Sequence, residues 1–289
     1  CHVIYGLVGL KTHSKIALVV RREEDGIKRY VHLGTGNYND QTAKLYTDMG
    51  LLTCSDPIGE DATAVFNMLS GYSEPGKWNK LAVAPIWLKD KFLMLINREA
   101  ENARQGKKAR IIAKMNSLCD PKVMEALYDA SAAGVKIDLI VRGICCIKAG
   151  VPGLSENISV RSIVGNFLEH SRIFYFYNDG FEDIYMGSAD WMPRNLDKRV
   201  EITFPVEDPD LKKRIKDILK IQLADTLKAH IMQPDGSYEK QDLRGKVKLD
   251  SQMYFAEEAR KRSAKPEDAD AAISHDRVFI PIEAEESEH

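Results

Sequence analysis

HSKIALVV at residues 13–20 and HSRIFYFY at residues 170–177 open two copies of one sequence motif. Each copy continues through a polar turn into a second apolar run and a glycine turn, YVHLGTGNYN at 30–39 and IYMGSADWMPRN at 184–195. The stretch from His to Gly is slightly longer in the first copy, and the difference falls in the polar turn, where extra residues cost little. The repeat predicts two equivalent half-sites that meet at one pseudo-twofold interface.

Strand-like and helix-like segments alternate along the chain, which indicates an α/β fold. Continuous apolar runs predict buried strands, and apolar residues at helical spacing predict amphipathic helices. The predicted strands are 2–10, 16–20, 29–33, 109–114, 136–143, 158–164 and 199–206. The predicted helices are 61–70, 88–105, a helix that starts at Pro121 behind an Asp120 cap and ends at Gly134, 209–229 and 249–262.

GYSEPGKWNK at 71–80 collects Gly, Pro and polar residues, so we place a domain boundary there. The predicted organisation is a first domain at 1–80, a second at 81–264 and an acidic, mobile tail at 265–289. Only a short segment precedes His13, whereas a long α/β segment precedes His170. We therefore expect the first domain to lack its opening elements and the chain to be a fragment.

Composition limits the classes of partner. A formal net charge of −2 shows no global excess of basic residues, so we expect no nucleic-acid partner and only a local cluster of Lys and Arg. The five cysteines are odd in number and irregularly spaced, which argues against a disulfide framework. This cysteine usage favours a reducing compartment and hence a cytoplasmic location, with membrane association of a longer parent as an alternative. No apolar run reaches membrane-spanning length.

Each copy of the motif pairs a histidine with a cation. His13 and Lys15 stand two residues apart on a predicted strand, so their side chains share one face, and His170 and Arg172 repeat the arrangement. A neutral imidazole can attack phosphorus while the cation neutralises the phosphoryl oxygens. The other histidine can protonate the leaving group or hold the transferred phosphate. The motif therefore predicts phosphoryl transfer, and its symmetry leaves open which histidine is attacked first.

The turns and strand ends add further candidates. Asn37 is placed to hydrogen-bond a phosphate oxygen, Asp190 to orient an imidazole and Arg194 to extend a basic lining. Arg142 follows an apolar strand and precedes a glycine, the place where α/β sheets bind ligands. Tyr46 is placed either to stack on a base or to pack against the protein.

The paired motifs resemble the phospholipase D superfamily, although Val20 and Tyr177 stand where that family usually has an Asp. The longer strings resemble the C-terminal half of the long, histidine-phosphorylating polyphosphate kinases. Those strings are GLKTHSKIALVVRRE, YVHLGTGNYNDQTAKLYTDMGLLT, VRGICC, ISVRSIVGNFLEHSRIFYF and GSADWMPRNLDKRVE, and the likeness runs from about residue 2 to residue 230.

The resemblance implies two phospholipase-D-like domains related by duplication, each a mixed sheet flanked by helices, with the first truncated at its N-terminus. It implies reversible transfer of the γ-phosphate of ATP to inorganic polyphosphate. His13 matches the phosphorylated histidine, Tyr46, Arg142 and His170 match nucleotide contacts, and His170 is also a candidate acid. The resemblance further implies Mg²⁺, with the arginines associated with its site lying before Cys1, a homo-oligomeric parent, and a fragment that is inactive or nearly so alone.

Two other functions stay open at this point. One is a phospholipase-D-like phosphodiesterase of nucleic acid or lipid, which would hydrolyse a phosphodiester without ATP. The other is a non-catalytic module that binds nucleotide or polyphosphate and exchanges no phosphate.

Overall fold

The computed structural model describes residues 2–71 and 75–263, and within them the first repeat has five strands and two helices. In chain order these are β1 (Lys11–Thr12), β2 (Lys15–Glu23), β3 (Gly26–Gly34), α1 (Asp40–Ala43), β4 (Tyr46–Thr47), β5 (Gly50–Thr53) and α2 (Asp56–Leu69). Three of the strands form an antiparallel sheet in the order β2-β3-β5.

The second repeat is larger. Its elements are β6 (Ala82–Val83), α3 (Leu88–Arg104), β7 (Arg110–Met115), α4 (Pro121–Ala132), β8 (Lys136–Val141), β9 (Ile158–Ile163), β10 (Leu168–Glu169), β11 (Arg172–Phe176), β12 (Asp183–Gly187), α5 (Pro193–Lys198), β13 (Arg199–Val200), β14 (Ile202–Pro205), α6 (Pro209–Leu223), β15 (Ala229–Met232) and β16 (Tyr238–Lys240).

Among the described residues, nine of these strands form one mixed sheet in the order β16-β15-β9-β8-β7-β11-β12-β14-β6. Strands β7, β8 and β9 run parallel, and the remaining neighbours are antiparallel. The predicted α/β class, with sheets flanked by helices, is confirmed. Residues up to Ser251 form one unit, and the described part of the second unit lies within helix α7 (Ser251–Ser263).

The internal duplication extends well beyond the motif that revealed it. Gly34 pairs with Gly50 between β3 and β5, and Gly187 pairs with Thr203 between β12 and β14, so the paired positions have the same spacing in both repeats. Helices α2 and α6 begin at the same offset from the corresponding glycine. The two copies therefore match element by element from the glycine turn to the following helix.

One apolar core joins the two repeats. Leu33 and Val65 from the first repeat belong to the same buried cluster as Ile173, Ile202 and Leu219 from the second. A second cluster lies under α3 and α4 on the other face of the nine-stranded sheet. Because the core is shared, the two half-sites are held by packing rather than by a flexible linker.

Helix α2 begins at Asp56, before the predicted start at 61, and three other predicted elements also differ from the structure. Residues 2–10 are irregular and mostly exposed rather than a buried strand, since Gly6 at φ 87° and Gly9 at φ 82° bend the backbone. The predicted strand 199–206 is divided into β13 and β14, which pair in different sheets. The predicted helix 209–229 ends at Leu223, residues 224–228 form the connection, and Ala229 begins β15.

The start of α4 follows the prediction. The Asp120 side chain accepts a hydrogen bond from the backbone N–H of Val123 at 3.1 Å, and Pro121 occupies the first turn, where a missing N–H costs nothing. The predicted tail at 265–289 lies outside the described residues. No helix in the described part of the chain is long and apolar enough to cross a membrane.

Candidate active site at the paired histidines

Short strands exchanged between the repeats place the two histidines. β1, just before His13, pairs in parallel with β13 of the second repeat, and β10, just before His170, pairs in parallel with β4 of the first. The backbone N–H of His13 donates to the carbonyl of Val200 at 2.9 Å, and that of His170 donates to the carbonyl of Thr47 at 3.2 Å. Each histidine is therefore fixed by the other repeat.

The His13 imidazole is held by a buried carboxylate. Its Nδ1 lies 2.8 Å from Glu201 Oε2, and the Glu201 side chain is fully buried. Ser188 donates to Glu201 Oε2 at 2.5 Å and Asn195 donates to Oε1 at 2.5 Å. Because a carboxylate only accepts, Nδ1 of the neutral ring carries the proton and Nε2 carries the lone pair. Within residues 2–71 and 75–263, Nε2 of His13 has no hydrogen-bond partner.

The His170 imidazole has the same kind of support and one extra contact. Its Nδ1 lies 2.8 Å from Asp48 Oδ1, and Thr35 donates to the same oxygen at 2.7 Å. Its Nε2 lies 3.0 Å from Arg172 NH1, so a guanidinium N–H covers the nitrogen that is free in His13. Burial lowers the pKa of His170, and the charges of Arg172 and Lys15 add to this lowering, while the Asp48 hydrogen bond opposes it.

The two cations of the motif lie at the centre of the site. Lys15 is buried and donates to the carbonyl of His13, as Arg172 donates to the carbonyl of His170 at 2.7 Å. The pKa of Lys15 is lowered to about 8, mainly by burial; the charge of Glu201 opposes the lowering and that of Arg172 contributes to it. Lys15 is therefore a cation that can lose its proton within the range of ordinary buffers.

Asp190 has a different role from the predicted one. Its carboxylate accepts both Nε and NH2 of Arg172, each at 3.2 Å, and the backbone N–H of Asn116 at 2.7 Å. The expectation that Asp190 orients an imidazole is wrong, because Asp48 and Glu201 occupy that position. Asp190 instead fixes the guanidinium that covers His170.

Arg142 and Tyr46 join the site on the His170 side. Arg142 donates through Nε and NH2 to Asn116 Oδ1 at 3.0 and 2.8 Å, and through Nε to the carbonyl of Glu169 at 2.9 Å. Burial lowers the pKa of this guanidinium. The Tyr46 ring packs against the His170 ring with 4.9 Å between centroids.

Two of the predicted residues lie at the margin of the site. Asn37 and Arg194 are both exposed, Asn37 in the turn after β3 and Arg194 in the first turn of α5. Their contacts with a phosphate stay predictions. The described residues contain no group of three His, Cys, Asp or Glu side chains arranged to hold a metal ion.

The motif analysis missed the two carboxylates that hold the histidines. Asp48 follows Gly34 at the same offset at which Glu201 follows Gly187. Extending the repeat without gaps would have found an acid at this position in both copies. Thr35 and Ser188 each follow the glycine by one residue, so the same ungapped alignment would also have found the hydroxyls that bind these carboxylates.

Comparisons with known proteins identify the family of the chain. The family model of the polyphosphate kinase C-terminal domain 1 matches residues 1–75, and that of C-terminal domain 2 matches residues 81–252. A polyphosphate kinase of Lactiplantibacillus plantarum is 52% identical over 289 residues, which are 100% of this chain and 40% of that protein. A polyphosphate kinase of Synechocystis sp. is 59% identical over 237 residues, which are 82% of this chain and 33% of that protein.

A solved structure gives the same result. The crystal structure of the polyphosphate kinase from Porphyromonas gingivalis matches with a TM-score of 0.83 and 39% identity, over 88% of this chain and 40% of that one. The chain thus spans well under half the length of these relatives. On the evidence of the two domain models and of these relatives, the chain belongs to the polyphosphate kinase family.

Proposed function

We propose that the paired-histidine site transfers the γ-phosphoryl group of ATP reversibly to inorganic polyphosphate through a phosphohistidine at His13. The name polyphosphate kinase, borne by the matching relatives, supports the substrate class. Since the chain spans only 40% and 33% of those two relatives, the proposal concerns a protein of their length that contains these residues.

One observation carries the choice of His13. Its Nε2 is unoccupied within the described residues while Glu201 holds Nδ1, whereas Nε2 of His170 accepts a hydrogen bond from Arg172. A nitrogen lone pair must be free to attack phosphorus. The difference between the half-sites thus favours His13 as the nucleophile, a choice that the symmetric motif leaves open.

In the first step Nε2 of His13 attacks the γ-phosphorus of ATP. The Nε2–P bond forms, the bond from phosphorus to the β,γ-bridging oxygen breaks, and ADP leaves with that electron pair. The imidazole becomes positively charged, and the Glu201 carboxylate at Nδ1 stabilises that charge. In the second step a terminal oxygen of polyphosphate attacks the same phosphorus and the Nε2–P bond breaks, which restores His13.

Cations around the histidines supply the charge that this transfer needs. Phosphoryl transfer depends mainly on positioning and on neutralising the equatorial oxygens. Lys15, Arg172 and Arg142 are fixed by the contacts described above, and they lie close enough for the charge of Arg172 to act on both Lys15 and Arg142. A polyanionic chain matches such a set of donors.

His170 and Tyr46 are proposed to contact the nucleotide. Because its pKa is lowered, the His170 imidazole is uncharged at neutral pH. It can act as an acid only after Nε2 is protonated, and this requires the N–H of Arg172 to move away from that nitrogen. In the proposed ground state His170 is therefore a neutral hydrogen-bonding group beside the Tyr46 ring.

Mg²⁺, homo-oligomer formation and a cytoplasmic location stay proposals. No group of three His, Cys, Asp or Glu side chains comes together in the described residues to hold a metal ion. Mg²⁺ is generally held largely by substrate phosphates, and we propose that it binds with the nucleotide.

The test uses ATP labelled in the γ-phosphate and a protein of the relatives' length that carries this chain. We expect an acid-labile, base-stable label on the protein, and His13→Ala should abolish both the label and polymer synthesis. His230→Ala is the matched control, because His230 lies on β15 and its ring hydrogen-bonds the Lys228 carbonyl at 3.2 Å rather than a carboxylate or cation of the paired-histidine site. A label that persists in His13→Ala and disappears in His170→Ala would show that His170, and not His13, is the nucleophile.

A further inference from the structure

The two carboxylates that hold the histidines are supported unequally. Asp48 and Glu201 occupy equivalent positions, and each receives a hydroxyl from the residue after the glycine, Thr35 at 2.7 Å and Ser188 at 2.5 Å. Glu201 receives a third donor, the side-chain amide of Asn195, at Oε1. Both half-sites therefore have the hydroxyl donor, and the His13 half-site has the amide donor in addition.

The first repeat has no counterpart of that amide among the described residues. Asn195 stands eight residues after Gly187, and the residue eight after Gly34 is Thr42. The Thr42 hydroxyl donates to the carbonyl of Asn39 at 3.2 Å and does not reach Asp48. The structure thus offers a natural comparison of the same scaffold with and without the amide.

Burial makes the extra donor important for Glu201. The Glu201 side chain is 0% exposed, against 23% for Asp48. A buried carboxylate stays ionised only if hydrogen bonds and opposite charges replace the lost water. His13 and Ser188 both lie at Oε2, so Asn195 provides the hydrogen bond at Oε1. Without it, one oxygen of a buried carboxylate would lack a donor.

We infer that Asn195 is a positioning residue that holds Glu201 as a carboxylate directed at His13, and that this makes His13 the more strongly activated histidine. Asn195 is itself 1% exposed, at α5, and acts through Glu201 rather than on the substrate. The inference concerns the site of the proposed function. Its test needs no substrate, so its failure and that of the proposed function are distinguishable.

The groups that face Glu201 define what else can influence its ionisation. They are His13 and Ser188 at Oε2, Asn195 at Oε1, and Lys15, whose charge interacts with that of Glu201. An Asn195→Ala substitution removes one hydrogen bond and leaves the two titratable neighbours in place. The change in the Glu201 titration therefore reports on the amide.

The experiment follows the side-chain carboxyl carbon of Glu201 by ¹³C NMR across pH in the chain of residues 1–289, with the resonance assigned by its loss in Glu201→Gln. We expect Asn195→Ala to move the Glu201 carboxyl resonance toward that of a protonated carboxyl at a given pH, because the ionised form loses a hydrogen-bond donor. Thr42→Ala is the matched control, because it removes a hydrogen bond at the equivalent position and leaves Glu201 untouched. An unchanged Glu201 titration in Asn195→Ala would overturn the inference.

The unmodified chain provides a second measurement that needs no variant to fold. If Asn195 donates to Glu201, its side-chain amide resonances must shift with the same midpoint as the Glu201 carboxyl. Asn157, whose side-chain amide donates to the carbonyl of Ser131 at 2.9 Å, is the internal reference and should not shift at that midpoint. Amide resonances of Asn195 that stay constant while Glu201 titrates would equally refute the assignment.

Discussion

The hydrogen bond between His170 and Asp48 gives the sharpest test of the site. An Asp48→Asn substitution keeps the size of the side chain and removes its charge, while Nδ1 of His170 lies 2.8 Å from one carboxylate oxygen and 2.9 Å from the other. Hydrogen bonds to charged groups contribute about 1.5–3 kcal/mol and neutral ones about 0.5–1.5 kcal/mol, so the charge itself is worth about 1–1.5 kcal/mol. Since Asp48 is 23% exposed, solvent screening places the effect at the lower end.

That energy corresponds to about one pKa unit, and its sign follows from the structure. The carboxylate stabilises the protonated ring, so its loss lowers the pKa of His170, which burial already holds below the ordinary value of 6.5. The assay is a pH titration of the histidine Cε1–H resonances by NMR, with His170 assigned by its loss in His170→Asn.

The matched control is Asp183→Asn, which removes a carboxylate that is 31% exposed and paired with Arg98 at 2.8 Å. We expect the His170 titration to be unchanged in this variant. A His170 pKa that stays constant or rises in Asp48→Asn would show that the carboxylate does not hold the ring as described.

Three further predictions concern the same region. In Gly36→Ala the new Cβ would lie 2.3 Å from the Asp48 carboxyl carbon, so we expect Asp48 to be displaced and the free energy of unfolding to fall by about 1–3 kcal/mol, measured by urea denaturation. Because the pKa of Lys15 is about 8, this side chain loses its charge as the pH rises from 7 to 9, and binding of inorganic tripolyphosphate should weaken over that range. Calorimetry measures the binding. Lys15→Met should bind tripolyphosphate weakly and show little of that pH dependence. Because the pKa of His170 is lowered in the folded chain, the unfolded chain binds the proton more tightly. The contribution of His170 to the free energy of unfolding is therefore fully present above its unfolded pKa of 6.5 and is lost as the pH falls through its folded pKa. His170→Asn should flatten this part of the curve of unfolding free energy against pH.

Local patterns predicted the elements that depend on local interactions. The Asp120-Pro121 start of α4 and the apolar runs of β7, β8 and β9 contain their own signals, because capping and hydrophobic burial act over a few residues. The segment 2–10 shows where this reasoning fails. An apolar run becomes a strand only when a neighbour supplies its hydrogen bonds, and the backbone at Gly6 and Gly9 bends away from an extended conformation.

The roles within the site needed more than the motif. Asp48 lies 122 residues from His170, and Glu201 lies 188 residues from His13, each in the opposite repeat. The motif instead pointed to Asp190, which belongs to the glycine turn of the second copy and pairs with Arg172. The exchange of β1 and β10 between the repeats is what brings the distant carboxylates to the rings.

The sequence by itself determined the α/β class, the duplication and the residues of the histidine-cation motif, because period, turn residues and repetition are written in the order of the amino acids. Only the tertiary structure decided which carboxylate holds which histidine and which ring nitrogen is free. The two copies are nearly symmetric in sequence, whereas the contacts at Nε2 of His13 and of His170 differ through Arg172, and the contacts of Glu201 and Asp48 differ through Asn195. Such differences arise from packing between residues that are far apart in the chain, and no local pattern contains them.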